Sequence, residues 1–360
     1  MIRFKSFVQN GKTLAQSSLY YQMNAISLFA GAGGDTTGLQ NAGLSVIAFS
    51  ENNKDAIQTH LKMFPDSVWL GKDVKGDINK ITDSEFEEYT GKVKVIFAGF
   101  PCQGFSNAGK KDTNDPRNKM FYQFLRAVQI IQPEWFIGEN VAGLLTKKTD
   151  DGESSVIDVI QKEFQEIGYE LVYKVYDTST VGVSQSRKRL IIVGNRLGIP
   201  YELPTFNLAK QGVSTIAEES LEGAVECTIN PPPECILNLT KHLEVTGIPH
   251  PYLLTKLADS RISFGKRDSP THSEILDLRK PCKTIICAYS FQPRLYVCVR
   301  NTDGILYIRC LTKKELAQIQ GFPADHEFCG NTASIIKQIG NAVPAKLIEM
   351  VMRSMLDASQ

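Results

Sequence analysis

Two reactive side chains in the first half of the chain each follow a short apolar run. Cys102 comes after the run 93–100 and Pro101, and Glu139 comes directly after the run 135–138. A thiolate is strongly nucleophilic even when only a few per cent of a cysteine is ionised at neutral pH. A nearby carboxyl group can hydrogen-bond to a substrate or protonate it. The pair predicts nucleophilic catalysis; the competing interpretation is a buried structural cysteine and an ordinary charge at a strand end.

Two arginines, two positions apart, add positive charge. Arg187 and Arg189 in the segment QSRKR would point to the same face of a strand, because side chains alternate along a strand. A solvated face would show the same spacing, so the arginines alone decide nothing. Together these residues form a credible catalytic set, whose predicted members are Cys102, Glu139, Arg187 and Arg189.

A glycine-rich turn, GAGG from Gly31 to Gly34, follows the apolar run 26–30. Glycines let backbone N–H groups approach a ligand closely, and an acid about 20 residues further on can hold ribose hydroxyls. Glu51 stands 20 residues after Gly31, which predicts a cofactor that contains adenosine. The pattern GxGxxG is not satisfied, because Thr36 occupies the last glycine position, and this disfavours a nicotinamide dinucleotide.

Apolar runs alternate with amphipathic segments up to about residue 194. The segments 120–132 and 156–167 have helical periodicity. Strands separated by helices predict an α/β fold with a doubly wound parallel sheet, in which ligands bind beyond the carboxyl ends of the strands. The predicted strands are residues 26–30, 46–50, 93–100, 135–138 and 190–193.

The alternation stops near Gly194, and the sequence after it predicts a smaller, mostly β domain. Short β-type stretches occur at 284–286 and 295–299. A capping box at Thr312 opens a helix, and a last helix covers about 344–357. The predicted domains are a catalytic domain at 1–199, to which 331–360 return, and a second domain at 200–330 that includes the segment 309–323.

Composition predicts a soluble cytoplasmic protein. The chain has 360 residues, 42% of them hydrophobic, and a net charge of +1. No apolar run approaches the roughly 18 residues of a membrane span, and the first 24 residues have no signal-peptide core. The eight cysteines form no CxxC pair, so we expect no metal site. Residues 241–314 carry 13 basic and 6 acidic side chains, which fits a polyanion-binding surface and a solvated face equally well.

Six segments follow one another along the chain in a characteristic order: ISLFAGAGGDTTGLQNAG, GFPCQGFSNAG, ENVAGLL, QSRKRLIIVG, RCLTKKELAQIQGFP and QIGNAVP. In this order they resemble the DNA cytosine-5 methyltransferases. The resemblance covers both ends of the chain, and residues 200–308 resemble the variable target-recognition region of that family, with PCKTI at 281–285 as a short common element. It implies a Rossmann-like methyltransferase that uses S-adenosyl-L-methionine (AdoMet).

The resemblance also implies individual site residues. Asn52 departs from the apolar residue that the family often carries there, and Asp77 is preferred to Asp73 as the next cofactor acid. The implied cofactor-binding residues are Phe29, Ala30, Gly31, Gly33, Gly34, Glu51, Asn52, Asp77, Ile78, Pro101, Met120, Asn341 and Val343. The implied DNA-binding residues are Gln103, Ser106, Arg117, Gln185, Arg261, Arg267 and Arg294.

The implied mechanism acts on a cytosine flipped out of double-stranded DNA. Cys102 attacks C6, Glu139 stabilises charge at N3, and C5 takes the methyl group and loses its proton. The arginines would position the base, and the loop 103–118 would close over it. The enzyme would be a monomer, paired in function with a restriction endonuclease. The alternatives are a tRNA methyltransferase of the same fold, a dinucleotide-dependent oxidoreductase, and a DNA-binding protein without catalysis.

Overall fold

A seven-stranded mixed sheet forms the larger part of the protein. The computed structural model describes residues 23–101, 119–149, 152, 154–227, 229–258 and 274–359. The strands of the large sheet are β1 (Asn24–Leu28), β2 (Ser45–Ser50), β3 (Val68–Trp69), β4 (Val95–Ala98), β5 (Trp135–Val141), β6 (Glu170–Asp177) and β7 (Lys188–Asn195). Their order across the sheet is β3–β2–β1–β4–β5–β7–β6.

Helices connect these strands and cover the sheet. Aromatic side chains from two helices, among them Phe124 and Phe164, pack on Phe136 of β5, and the Phe136 and Phe164 ring centroids lie 4.2 Å apart. Such large apolar contacts fix the layers of the fold. The helices of this part are α1 (Gly34–Asn41), α2 (Lys54–Met63), α3 (Asp83–Glu87), α4 (Lys119–Ile131) and α5 (Val156–Glu166).

One edge of the sheet differs from the prediction, because its strands are not all parallel. β1 to β5 pair in parallel, but β7 runs antiparallel to both β5 and β6. Strand β6 itself was not predicted, because its side chains are mostly half-buried and show no continuous apolar run. The link 178–187 is too short for the crossover helix that a parallel pair needs, so the chain reverses direction.

A smaller sheet follows, with the order β10–β11–β12–β8 and with β9 beside β11. The predicted stretch 295–299 lies in β11, whereas 284–286 is not a strand: it forms no ladder in the described chain and binds the turn before β7. The strands are β8 (Val225–Glu226), β9 (Ile236–Asn238), β10 (Glu274–Ile275), β11 (Leu295–Arg300) and β12 (Leu306–Cys310).

The C-terminal helices return to the large sheet. The helices after the large sheet are α6 (Pro251–Ala258), α7 (Lys313–Gln320), α8 (Thr332–Asn341) and α9 (Ala345–Ala358). A Cβ atom at Gly38 would lie 2.4 Å from the carbonyl oxygen of Ala345, so only glycine lets α1 pack this closely on α9. The exact domain limits stay a prediction. No helix in the described ranges is long and apolar enough to cross a bilayer.

Candidate active site

A cavity of about 560 Å³ opens where β1, β2, β4 and β5 end. Side chains of α8 also line it. This position, beyond the carboxyl ends of parallel strands, is the one expected for a ligand site in such a sheet. Eleven of the predicted cofactor residues line the cavity: Phe29, Ala30, Gly31, Glu51, Asn52, Asp77, Ile78, Pro101, Met120, Asn341 and Val343.

The turn after β1 forms one wall through its backbone. Phe29 and Gly31 have φ angles of 58° and 56°, and a Cβ atom at Gly31 would meet nothing within 4 Å, so this turn faces open space. Gly33 and Gly34 are not among the residues that line the cavity, so their cofactor contacts stay a prediction. Gly33 has a φ of 84°, and a Cβ atom at Gly34 would lie 2.4 Å from the carbonyl oxygen of Val343. Both glycines are therefore required by the turn and its close packing.

Glu51 is fixed at the end of β2 by backbone donors. Its Oε2 accepts the N–H of Gly31 at 2.9 Å, and its Oε1 accepts the N–H groups of Asn52 and Asn53 at 2.9 and 2.7 Å. A carboxylate has about four acceptor sites, so one stays available for a ligand hydroxyl. This geometry suits the recognition of a ribose.

Asp77 rather than Asp73 reaches the cavity wall. The Asn79 amide donates to Asp77 at 2.9 Å, and this hydrogen bond lowers the pKa of the carboxyl despite partial burial, with Lys80 adding to the effect at 3.3 Å. Asp77 is therefore an ionised acceptor at neutral pH. The preference for Asp77 over Asp73 agrees with its position.

Glu139 and Arg189 form an ion pair at the inner end of the cavity, with Arg189 Nε donating to Glu139 Oε1 at 2.7 Å. In the sheet, Arg189 lies opposite Val141, so it shares a face with Glu139 two positions earlier. Burial raises the pKa of Glu139, whereas the charges of Arg189 and Arg187 oppose the rise. The acid is thus set to carry a proton more readily than an exposed glutamate.

Arg187 joins the cavity to the smaller domain. Its guanidinium donates to the carbonyl oxygens of Ile285 and Gly340, at 3.2 and 3.0 Å, and it also lines the cavity. Burial, followed by the nearby charge of Arg189, lowers the pKa of Arg187 to about 9. Arg187 thus connects the segment before β7 to Ile285 and to α8 beside the cavity.

Gln185 does not reach the surface, which argues against its predicted DNA contact. Its side chain is 0% exposed, donates to Gln320 Oε1 at 2.7 Å and accepts the N–H of Ile285 at 2.9 Å. Arg294 is half-buried and lies apart from the cavity lining. The remaining predicted residues lie outside the described residues: Cys102, Gln103, Ser106, Arg117, Arg261 and Arg267.

Several residues that line the cavity were not predicted from the sequence. Asp35 and Ser50 lie beside the predicted strand ends, and Asn140 donates to the carbonyl oxygen of Phe100 at 2.9 Å. Others come from α8, whose amphipathic pattern and Asn331 N-cap were the available signals. In the described part of the chain, no group of three or more His, Cys, Asp or Glu side chains could hold a metal ion. The α8 residues are Ser334, Lys337 and Gln338.

Comparison with known families decides the class of this site. The family model for C-5 cytosine-specific DNA methylases matches residues 23–357. The chain belongs to this family. It is therefore a cytosine-C5 DNA methyltransferase, which confirms the enzyme class expected from the six segments and excludes the oxidoreductase alternative.

Individual relatives agree over most of their length. The chain is 29% identical to the type II methyltransferase M.FnuDI of Fusobacterium nucleatum, over 91% of this chain and 93% of the relative. It is 31% identical to the type II methyltransferase M.Eco47II of Escherichia coli, over 92% of this chain and 78% of the relative.

Solved structures support the fold. A mutant form of Spodoptera frugiperda DNMT2 superposes with a TM-score of 0.64 at 18% identity, covering 93% of this chain and 99% of that one. A putative DNA modification methyltransferase from an Escherichia coli prophage gives 0.61 at 21% identity, covering 94% and 99%. The α/β fold class with a second, smaller sheet is confirmed, with the mixed sheet as the correction to its predicted strand directions.

Proposed function

We propose that this protein transfers a methyl group from AdoMet to C5 of a cytosine within a short, specific sequence of double-stranded DNA. The observation that carries the proposal is that the Glu139–Arg189 pair lies in the same cavity as the Gly31 turn and Glu51. An acid suited to a nucleobase and an acceptor suited to a ribose therefore share one space. A volume of about 560 Å³ is ample for a small-molecule ligand.

The cavity residues fit AdoMet. Glu51 retains acceptor capacity for the ribose, and the ionised Asp77 beside Ile78 offers an acceptor for the adenine amino group. The open backbone at Gly31 leaves room for the amino-acid end of the donor. When bound, AdoMet supplies an electrophilic methyl group.

The chemistry on the cytosine follows from the acid and the predicted nucleophile. The Cys102 thiolate forms a bond to C6, and the electrons of the C5–C6 double bond move toward C5 and N3. Glu139 donates a proton or a hydrogen bond to N3, which stabilises that charge. C5 would then take the methyl group as the bond between this methyl and the donor sulfur breaks, and the donor would leave as S-adenosylhomocysteine. Loss of the C5 proton to a base would restore the double bond as the bond between the Cys102 sulfur and C6 breaks, and N3 would return to Glu139 any proton that it received.

The substrate must leave its helix to reach this cavity. Stacking hides C6 and N3 of a paired cytosine, so the base has to flip out at a cost of a few kcal/mol. Residues 200–330 would then read the flanking sequence, because they carry the smaller sheet and hold none of the proposed catalytic residues. The named relatives are type II methyltransferases, so we further propose a cytoplasmic monomer that protects DNA from a cognate endonuclease.

The test is to methylate a random-sequence duplex library with the purified protein and AdoMet, and to locate 5-methylcytosine by bisulfite sequencing. We expect one short motif with one methylated cytosine. Methylation of tRNA with no methylation of the duplex would overturn the proposal in favour of the RNA alternative.

The covalent step has its own test. Duplexes of that motif that carry 5-fluorocytosine should trap an SDS-resistant adduct, since fluorine cannot leave C5 as a proton does. Cys102→Ser should abolish both the adduct and turnover while AdoMet binding persists. Cys329→Ser, which changes a half-buried thiol outside the cavity lining, is the matched control and should trap normally. An adduct that persists in Cys102→Ser would refute this nucleophile.

A further inference from the structure

Asp35 is a buried carboxylate that the proposed methyl transfer leaves without a role. It is the second residue of α1, lines the cavity, and is only 3% exposed. The Ser27 hydroxyl of β1 donates a hydrogen bond to its Oδ2, and Thr36 Oγ1 lies 3.5 Å from the same oxygen. Its partners in the described chain are hydroxyls and backbone groups, with no cationic side chain among them.

The other carboxylates of the cavity differ from Asp35. Glu139 is also buried, but it pairs with Arg189, whereas Glu51 and Asp77 are half-buried and so keep contact with water. A buried carboxylate without a counter-charge is unfavourable unless it is neutralised. Accordingly, burial raises the pKa of Asp35 to about 7, although the Ser27 hydrogen bond opposes the rise. Among the described residues, the cavity thus presents one buried carboxylate, Asp35, that lacks a cationic partner.

AdoMet brings cations to this space. Its amino-acid end carries an α-ammonium group, and its sulfur is a sulfonium. The reacting methyl group must point toward the base held by Glu139, and Glu51 takes the ribose. We propose that Asp35 binds the α-ammonium group of the methyl donor, with the Ser27 hydroxyl holding the carboxylate in place. This inference rests on the proposed use of AdoMet.

An ammonium group suits Asp35 better than the sulfonium does. The ammonium has three N–H donors and can form charge-assisted hydrogen bonds to a carboxylate, whereas a sulfonium has no hydrogen to donate. The first turn of α1 also favours a negative charge, which keeps the carboxylate ionised once the cation arrives. Asp35 would thus select ligands that keep the amino group.

Calorimetric titration of Asp35→Asn with three ligands tests the inference. S-adenosylhomocysteine keeps the ammonium but lacks the sulfonium, and 5′-methylthioadenosine lacks the whole amino-acid end. We expect Asp35→Asn to raise Kd about 10- to 100-fold for AdoMet and for S-adenosylhomocysteine, the loss typical of a hydrogen bond to a charged group. The Kd for methylthioadenosine should stay unchanged.

Two further variants keep the result interpretable. Ser27→Ala should show the same ligand selectivity with a smaller effect, about 3- to 10-fold, because it removes only the hydrogen bond that orients the carboxylate. Asp77→Asn should weaken all three ligands, since each contains adenine. Thermal unfolding of every variant without ligand reports whether it folds.

The outcomes separate the explanations. Weaker binding of AdoMet alone would assign Asp35 to the sulfonium and overturn the inference. Equal weakening of all three ligands with a lower melting temperature would make Asp35 merely structural. If the wild-type protein bound none of these ligands, the proposed use of AdoMet would fail, and that result is distinct from either outcome for Asp35.

Discussion

The two sheets of this protein each hold a buried arginine–glutamate pair, and the pairs are built differently. Beside the large sheet, Arg189 touches Glu139 through one contact of 2.7 Å, and the side chains are 13% and 11% exposed. Beside the small sheet, Arg309 and Glu315 share two contacts of 2.8 Å and are 0% exposed. The first pair opens to a cavity, and the second is sealed.

The two pairs also differ in how many other hydrogen bonds their side chains form. Glu315 also accepts the N–H groups of Thr312 and Glu218, and Arg309 donates to the carbonyl oxygens of Ser220, Glu218 and Cys310. The polar groups of the sealed pair are occupied from several sides, so the pair holds α7 against β12. Glu139 keeps acceptor capacity toward the cavity. The Arg309–Glu315 pair therefore stabilises the fold, whereas the Arg189–Glu139 pair can still form hydrogen bonds to a ligand.

Replacing each acid by glutamine tests this difference between the pairs. Glu315→Gln should have the larger effect on stability. It leaves the guanidinium of Arg309 buried without a counter-charge, so we expect the free energy of unfolding to fall by about 3–5 kcal/mol. Denaturant unfolding measures the change. The double variant Arg309→Met/Glu315→Leu should not recover the loss, because it also leaves the backbone groups that bind this pair without their partners. A loss below about 1 kcal/mol for Glu315→Gln, well under that range, would mean that the pair is dispensable.

Glu139→Gln should instead alter chemistry and leave stability nearly unchanged. The amide still accepts from Arg189 but offers no proton to N3, so the single-turnover rate of methyl transfer should fall about 10²–10³-fold. We expect the protonated acid to be the active form in the wild-type protein. Its rate should therefore decline as the pH rises through the elevated pKa of Glu139, and the variant should lack this decline. An unchanged chemical step would contradict the assignment.

Local pattern predicted that β1, β2, β4, β5 and β7 are strands, although β1, β4, β5 and β7 end two or three residues away from their predicted ends. Glu51, Pro101 and Glu139 follow apolar runs, and parallel strands bring such positions to one edge whatever the details of packing. The capping box of Thr312 and Glu315 was equally visible, because both of its hydrogen bonds lie within one helical turn.

What the sequence could not supply depends on contacts between distant segments. Asp35 follows the glycine turn like any helix-initiating acid, and only the packing of Ser27 and the cavity leaves it buried without a counter-charge from the part of the chain that the structure describes. The reversal of β7 depends on the shortness of a link after the unpredicted strand β6. The lining by Ser334 and Lys337 requires α8 to fold back across the cavity.

The smallest effect is expected for a substitution at Gln185, a third buried polar side chain. The family resemblance assigned Gln185 to DNA, whereas its amide is buried between Gln320 and the backbone of Ile285. Gln185→Ala leaves that buried N–H and the Gln320 oxygen without partners, so the free energy of unfolding should fall by about 1–3 kcal/mol. The bisulfite motif should stay the same, because a buried amide touches no base edge. Arg294→Ala, at a half-buried position, is the matched control and should weaken DNA binding without loss of stability. If Gln185→Ala instead relaxed one position of the motif while the stability of the protein stayed unchanged, the predicted contact between Gln185 and DNA would be supported.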